Sequence, residues 1–199
     1  VIFVVSGPSG CGKSSLIRLV LASVPGARFS VSHTTRPRRE TEVEGRDYYF
    51  VGEPEFRRMI RRRAFVEWAV VHAAYYGTSR RELDKGRDGD LILDIDVQGS
   101  REVRRRIPEA VFVFVLPPSF EALRDRLRGR GQDTPSAIAE RLETARQEAK
   151  ECRRFGHVVI NDDLNEAADE LASIIICRRT RRTSRREAIR SILASFRRG

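Results

Sequence analysis

Cysteine is scarce in this 199-residue chain: Cys11, Cys152 and Cys177 are odd in number, far apart and free of any C-x-x-C spacing. That excludes a disulfide framework and a cysteine-based zinc or redox motif, and reduced thiols are expected. Histidine is equally sparse. His33, His72 and His157 are scattered, so neither a histidine metal site nor a Ser-His-Asp triad is signalled. No apolar run approaches the ~18 residues of a membrane span, and the leading VIFVV lacks the length and basic flank of a secretion signal. A soluble, cytoplasmic protein with no membrane partner is expected. No repeat or low-complexity tract precedes the arginine-rich end, and the length suits one substantial α/β domain with small insertions.

Positive charge is abundant but unevenly placed. The net charge is +10, and residues 178–199, with nine arginines against Glu187, supply +8 of it. The body is nearly balanced, and nucleic acid is not the partner expected for it. In the tail, Ser184 and Glu187 have capping-box spacing ahead of Ile189, Ile192, Leu193 and Phe196. This predicts an amphipathic helix whose apolar face docks on the core or on another subunit, so monomer and homo-oligomer both stay open.

The densest signal comes first. Residues 1–5 are an unbroken apolar run enriched in β-branched residues, as in a strand buried on both faces. Gly7, Gly10 and Gly12 then precede Lys13, Ser14 and Ser15, and Leu16, Ile17, Leu19, Val20 and Leu21 follow at helical spacing. Residues 7–14 fit G-x-x-x-x-G-K-[ST], a loop whose bare glycines let backbone N–H groups turn onto phosphate at a helix N-terminus. In such a loop Lys13 reaches the β- and γ-phosphates and the Ser14 hydroxyl ligates magnesium. The motif specifies a nucleoside triphosphate, not its acceptor.

Further along, Arg36, Arg38 and Arg39 stand beside Ser32, Thr34 and Thr35. They are either a kit for a phosphate monoester or a solvated basic face. Glu67 interrupts AFVEWAVV and either points from a strand into solvent or serves a site. Asp94 and Asp96 fall two apart in the apolar run 91–97, which puts both on one side of a strand. They either cap the next helix, read over 99–106, or form a Walker-B-like end that orders water around magnesium. A strand is predicted at 111–116, helices from Ser119 and Thr134 flank the loop RGRGQD, a strand covers 157–160 and a helix covers 164–177. The arginine-rich loop is either a mobile lid or an ordinary connection.

Taken in order, GPSGCGKS, SHTTRPRR, GRDYYF, FVEWA, YYGTS, LDID, LRGRG and VIND closely resemble the guanylate kinase family over residues 1 to about 177. The resemblance implies an ATP:GMP phosphotransferase of α/β class, with a phosphate-loop parallel-sheet core at 1–31, 84–119 and 151–177. It also implies a GMP-binding insertion at 32–83 and a helical lid at 120–150, leaving 178–199 as a basic extension. Position by position, ATP falls to Gly7, Pro8, Ser9, Gly10, Cys11, Gly12, Lys13, Ser14 and Ser15, with Asn161 near the adenine. Catalytic charge comes from Lys13, Arg126, Arg130, Arg141 and Asp94. The GMP phosphate falls to Arg36, Arg39, Tyr48 and Tyr76, and guanine to Ser32, Glu67, Thr78 and Asp96. Asp94 lies between the acceptor phosphate and Mg2+, which Ser14 ligates directly and Asp94 through water. GMP and dGMP are the implied acceptors.

Two other readings remain at this point: a related phosphate-loop kinase for another small phosphorylated acceptor, and a guanylate-kinase-like scaffold module that has lost catalysis. Glu67 with Ser32 favours guanine over the first. Lys13, Ser14 and the lid arginines favour an enzyme over the second.

Overall fold

The chain folds as β1 (Ile2–Ser6), α1 (Lys13–Ser23), β2 (Ala27–Phe29), β3 (Ser32–Thr34), β4 (Tyr48–Phe50), α2 (Glu53–Arg61), β5 (Phe65–Val71), β6 (Ala74–Ser79) and α3 (Arg80–Lys85). There follow β7 (Asp90–Asp94), α4 (Val97–Arg106), β8 (Val111–Leu116), α5 (Phe120–Gly129), α6 (Pro135–Ala149), β9 (His157–Ile160), α7 (Leu164–Thr180) and α8 (Arg186–Ser195). This computed structural model describes residues 1–71, 73–86, 89–129, 134–181 and 183–196.

A five-stranded sheet has the order β2-β7-β1-β8-β9, with every pair parallel. The unbroken apolar run of β1 follows from its central place, since both of its faces are covered. Phe3 and Val5 pack on one side with Leu16, Ile17 and Val20 of α1 and Leu171 and Ile175 of α7. Val4 packs on the other with Leu91, Leu93, Val103 and Phe112. Each fully buried side chain of this size contributes roughly 1.5–3 kcal/mol. The strand ends carrying Ser6 and Asp94 are thereby held on a rigid floor.

The second sheet, β4-β3-β6-β5, is antiparallel except for the β3·β4 pair and lies within residues 32–79. Phe56 of α2 stacks on Phe65 of β5 at 4.4 Å and seals one of its faces. β5 is half exposed: Trp68 and Val70 face solvent while Glu67 is buried.

Several expectations change. β7 ends at Asp94 and α4 begins at Val97, so Asp94 and Asp96 do not share a strand face. Asp96 is the N-cap of α4, its Oδ1 accepting the Gly99 N–H at 2.8 Å, because a short carboxylate there satisfies an otherwise orphaned helix donor. α7 continues past 177 to Thr180. The tail capping box does not form: Arg185 is the N-cap of α8 with no side-chain bond, and the Ser184 hydroxyl donates to Arg178 O at 2.8 Å instead. The amphipathic helix exists, but none of its residues is buried, so its apolar face does not dock on the core. Among the described residues no helix is long and apolar enough to cross a membrane. His72, Arg130 and the loop at 130–133 lie outside the described residues.

Candidate functional site

Residues 7–12 wrap over the end of β1, and their shape depends on glycine. Gly7, Gly10 and Gly12 have φ of 149°, 93° and 94°. A Cβ on Gly7 would run into Val115 O, one on Gly10 would come 2.7 Å from Leu127, and one on Gly12 would meet the Asn161 amide. α1 starts at Lys13 with no side-chain cap, so its first-turn N–H groups are left for an anion. The Lys13 ammonium folds back to donate to Gly7 O at 2.6 Å and Pro8 O at 3.3 Å. Burial disfavours its charge, but Cys11, Asp94, Glu148 and Asp96 outweigh burial and raise its pKa. Lys13 therefore stays cationic. Burial pushes the Cys11 thiol up against the pull of Lys13.

Asp94 closes β7 beside Val5, and its Oδ2 accepts the Ser14 hydroxyl at 3.2 Å. Burial raises its pKa against the pull of Lys13 and Ser14. This pair is all oxygen, one hydroxyl and one carboxylate, the donor chemistry that suits a hard cation keeping most of its water.

Asn161 is buried behind the loop rather than displayed toward solvent. Its Nδ2 donates to Cys11 O at 2.8 Å, and its own carbonyl accepts Arg126 Nη2 at 2.8 Å. The amide is a strut for the loop, and Arg126 is held at the loop's margin. Ser9 and Ser15 belong to the loop and the first turn of α1, and Pro8 O also accepts the Cys11 N–H. Arg141 lies on α6, whose Ala145 packs with Leu123 and Leu127 of α5.

The second sheet supplies the rest. Arg36 lies over the Tyr48 ring at 5.4 Å, and its Nη2 meets Glu42 Oε1 at 2.6 Å while Glu42 Oε2 accepts the Arg39 N–H at 2.9 Å. Glu42 thus holds the Arg36 guanidinium and the backbone at Arg39, a role that sequence reasoning missed because an acid three residues beyond Arg39 looks like ordinary surface charge. The Arg39 side is exposed, and the Tyr48 and Tyr76 rings are 6.0 Å apart. Burial, aided by Asp94 and Tyr76, pushes the Tyr48 phenol upward, so it remains a hydrogen-bond donor.

Glu67 is 3% exposed, and its Oε1 accepts the Thr78 N–H at 2.8 Å. Its pKa is raised to about 7, chiefly by burial and further by Asp96, with Thr78, through its hydroxyl and its N–H, and Arg106 opposing. Thr78 is buried opposite it on β6, and Ser32 is buried on β3 of the same sheet. At the start of α4, Gly99 lies against Glu67 Oε2 and Asp96 Oδ1, so the second sheet meets the parallel sheet next to the end of β7 that carries Asp94. Gly99, against which Glu67 packs, was also missed in the sequence.

The guanylate kinase family model matches residues 2–177. The chain is 47% identical over 186 residues to the guanylate kinase of Syntrophotalea carbinolica, covering 91% of this chain and 89% of that one. It is 43% identical to that of Geobacter sulfurreducens, covering 98% and 97%. The crystal structure of guanylate kinase from Anaplasma phagocytophilum superposes with a TM-score of 0.74 at 33% identity, covering 91% and 87%. By family match, relatives and fold alike, the chain belongs to the guanylate kinase family, the nucleoside monophosphate kinases that phosphorylate GMP.

Proposed function

We propose that this chain carries out ATP-dependent phosphorylation of GMP in the cleft between its two sheets, with dGMP as a second acceptor and the cytoplasm as its place of action. The observation that carries the residue assignment is the pairing of a lysine-and-serine phosphate loop against Asp94 with a buried Glu67 against Thr78 and Asp96. The loop N–H groups from Gly7 to Ser15 and the Lys13 ammonium take the ATP phosphates. Asn161 acts here as the loop's strut, and its adenine contact remains part of the proposal. Ser14 and Asp94 would hold Mg2+, which when bound neutralises charge on the β- and γ-phosphates.

On the acceptor side, Arg36, Arg39, Tyr48 and Tyr76 hold the GMP phosphate as four donors, which offsets repulsion between two anionic chains. An acceptor oxygen attacks the γ-phosphorus in line, forming one P–O bond as the bond to the β–γ bridging oxygen breaks. Arg126, Arg130 and Arg141 neutralise charge on the group in flight, as helices 120–150 close over it and exclude water. Glu67 accepts guanine N1–H and N2–H, Ser32 and Thr78 donate to O6, and Asp96 completes the edge. Every proposed acceptor contact is to base or phosphate, which supports use of dGMP.

The test is ADP release with ATP across GMP, dGMP, IMP, AMP, CMP and UMP. GMP and dGMP are expected to lead, IMP to be weaker for lack of N2, and AMP to be rejected by about 10⁴-fold because Glu67 would face a lone pair. Comparable efficiency with AMP and GMP would overturn the role given to Glu67.

A further inference from the structure

β5 is the outer strand of the second sheet, with β6 on one side and, among the described residues, no strand on the other. Register decides which way Glu67 points, because a slip of one residue along a strand turns every side chain to the opposite face. Here the ladder itself is irregular. Phe65 pairs with Ser79 and Glu67 with Thr78, so Val66 is an extra residue bulged out of the pairing. The bulge breaks the alternation: Phe65, Val66 and Glu67 are buried in succession, whereas Trp68 beyond them is 43% exposed. Val66 turns into the core with Leu93, Val103 and Phe112, and the Glu67 carboxylate lies against Gly99 near the start of α4.

The open side of the bulge is closed by the far end of the same helix. Arg106 Nη1 donates to Val66 O at 2.5 Å and to Phe65 O at 3.3 Å, the two carbonyls immediately before Glu67. Its Nη2 lies 3.7 Å from Glu102 Oε2, one turn back on α4. The groove between β5 and α4 is also lined by Arg101, Glu102 and Arg105. Arg105 meets Glu102 at 2.7 Å and Arg101 meets Glu151 at 2.8 Å. Both are turned to partners outside β5, and Arg106 is the arginine that reaches the strand.

We infer that Arg106 is a positioning residue for guanine recognition: by filling the open side of the β5 bulge it fixes the register that aims Glu67 at α4. The inference rests on the reading of Glu67 as the guanine acceptor. Without the guanidinium the bulge is free to pass its extra residue along β5, and that slip carries the Glu67 carboxylate to the solvent face now held by Trp68. Charge adds a second effect. Glu67 faces the carboxylate of Asp96 and the cation of Arg106, with Arg101, Glu102 and Arg105 lining the same groove and the uncharged Thr78 opposite on β6. Arg106 works against the burial and the Asp96 charge that raise the Glu67 pKa to about 7, so removing the cation leaves less of the carboxylate ionised near neutral pH.

The experiment is steady-state kinetics across the neutral pH range, on the full chain and on Arg106→Met, Arg106→Lys, Glu67→Ala and the double variant Glu67→Ala/Arg106→Met, with a thermal melt of each. Arg106→Met keeps an apolar stem and brings neither donors nor charge. It is expected to raise KM for GMP by ~10-fold or more, as for loss of a charged hydrogen bond, to leave kcat and KM for ATP as they are, and to move the gain in GMP affinity to higher pH. Arg106→Lys keeps the charge and loses the planar fork, so KM for GMP should still rise while the pH profile stays in place. In the Glu67→Ala background Arg106→Met should add nothing, because the carboxylate through which it acts is gone. An equal further rise in that background would show that Arg106 acts on the fold and not through Glu67, and would overturn the inference. So would an unmoved pH profile in Arg106→Met, or a wild-type KM for GMP in Arg106→Met where Glu67→Ala raises it. A wild-type KM for GMP in Glu67→Ala is a separate failure, which removes the guanine reading itself and this inference with it.

Discussion

Glu67 Oε2 rests on the bare Cα of Gly99: a Cβ there would lie 2.5 Å from that oxygen and 3.2 Å from Asp96 Oδ1. The strand carboxylate of Glu67 and the helix-capping carboxylate of Asp96 approach across a position in α4 that has no side chain. Gly99→Ala moves the Glu67 carboxylate, the free end of a long side chain, while Ala favours the helix by about 1 kcal/mol over Gly. Recognition and stability should therefore separate. We expect KM for GMP to rise ~10-fold or more, as for a misplaced buried hydrogen bond, with KM for ATP unchanged and no loss in Tm. Steady-state kinetics beside a thermal melt checks this, and unchanged KM for GMP would refute it.

Acidity of the same carboxylate gives a second expectation. With the Glu67 pKa raised to about 7, the free enzyme is half protonated near neutrality, whereas guanine requires the ionised acceptor. GMP binding should release a proton and strengthen as pH rises through about 7. The stability effect has the opposite sign. The folded carboxyl holds its proton more tightly than the ordinary value of 4.5, so the fold loses stability as pH rises from 4.5 toward about 7. Glu67→Gln should flatten the pH profile of GMP binding, raise Tm at pH above 7, and weaken GMP. Calorimetry in buffers of different ionisation enthalpy reads the proton directly.

Lys13→Ala should lower kcat by ~10²-fold or more, the usual cost of losing a charge aimed at the transferred phosphate. Its folded-state partners are the carbonyls Gly7 O and Pro8 O, not core side chains. The far-ultraviolet circular dichroism should be unchanged. Turnover within a few-fold of wild type would remove Lys13 from the chemistry.

Asn161→Ala would leave Cys11 O without its buried donor, which costs about 1–3 kcal/mol. The loop should loosen, raising KM for ATP and lowering Tm, and the preference for ATP over GTP as donor should fall with the adenine contact proposed for Asn161. An unchanged donor preference would leave Asn161 as the loop's strut alone.

The phosphate loop was legible because its chemistry is local: glycines, lysine and serine lie within one turn and one loop, between a strand and a helix that the apolar pattern declares. Strands β1, β8 and β9 were legible for the same reason. Glu67 was not, since its burial depends on β6 and α4 arriving from residues 74–79 and 97–106 to cover it. The shared face expected for Asp94 and Asp96 failed because the strand stops at Asp94, where a helix cap competes for the next carboxylate. The tail misled in another way. Ser184 had capping-box spacing, but a carbonyl of the preceding helix was nearer to its hydroxyl.

The three loop glycines are each moulded by a different distant element: Gly7 by Val115 of β8, Gly10 by Leu127 of α5, and Gly12 by Asn161 after β9. The motif precedes all three of these elements in the chain, yet its mould is incomplete until residue 161 has been made. A nascent chain carrying the whole signature therefore has no formed triphosphate cradle for most of its synthesis. Competence to grip ATP arrives late and all at once, with the same long-range contacts that close the sheet.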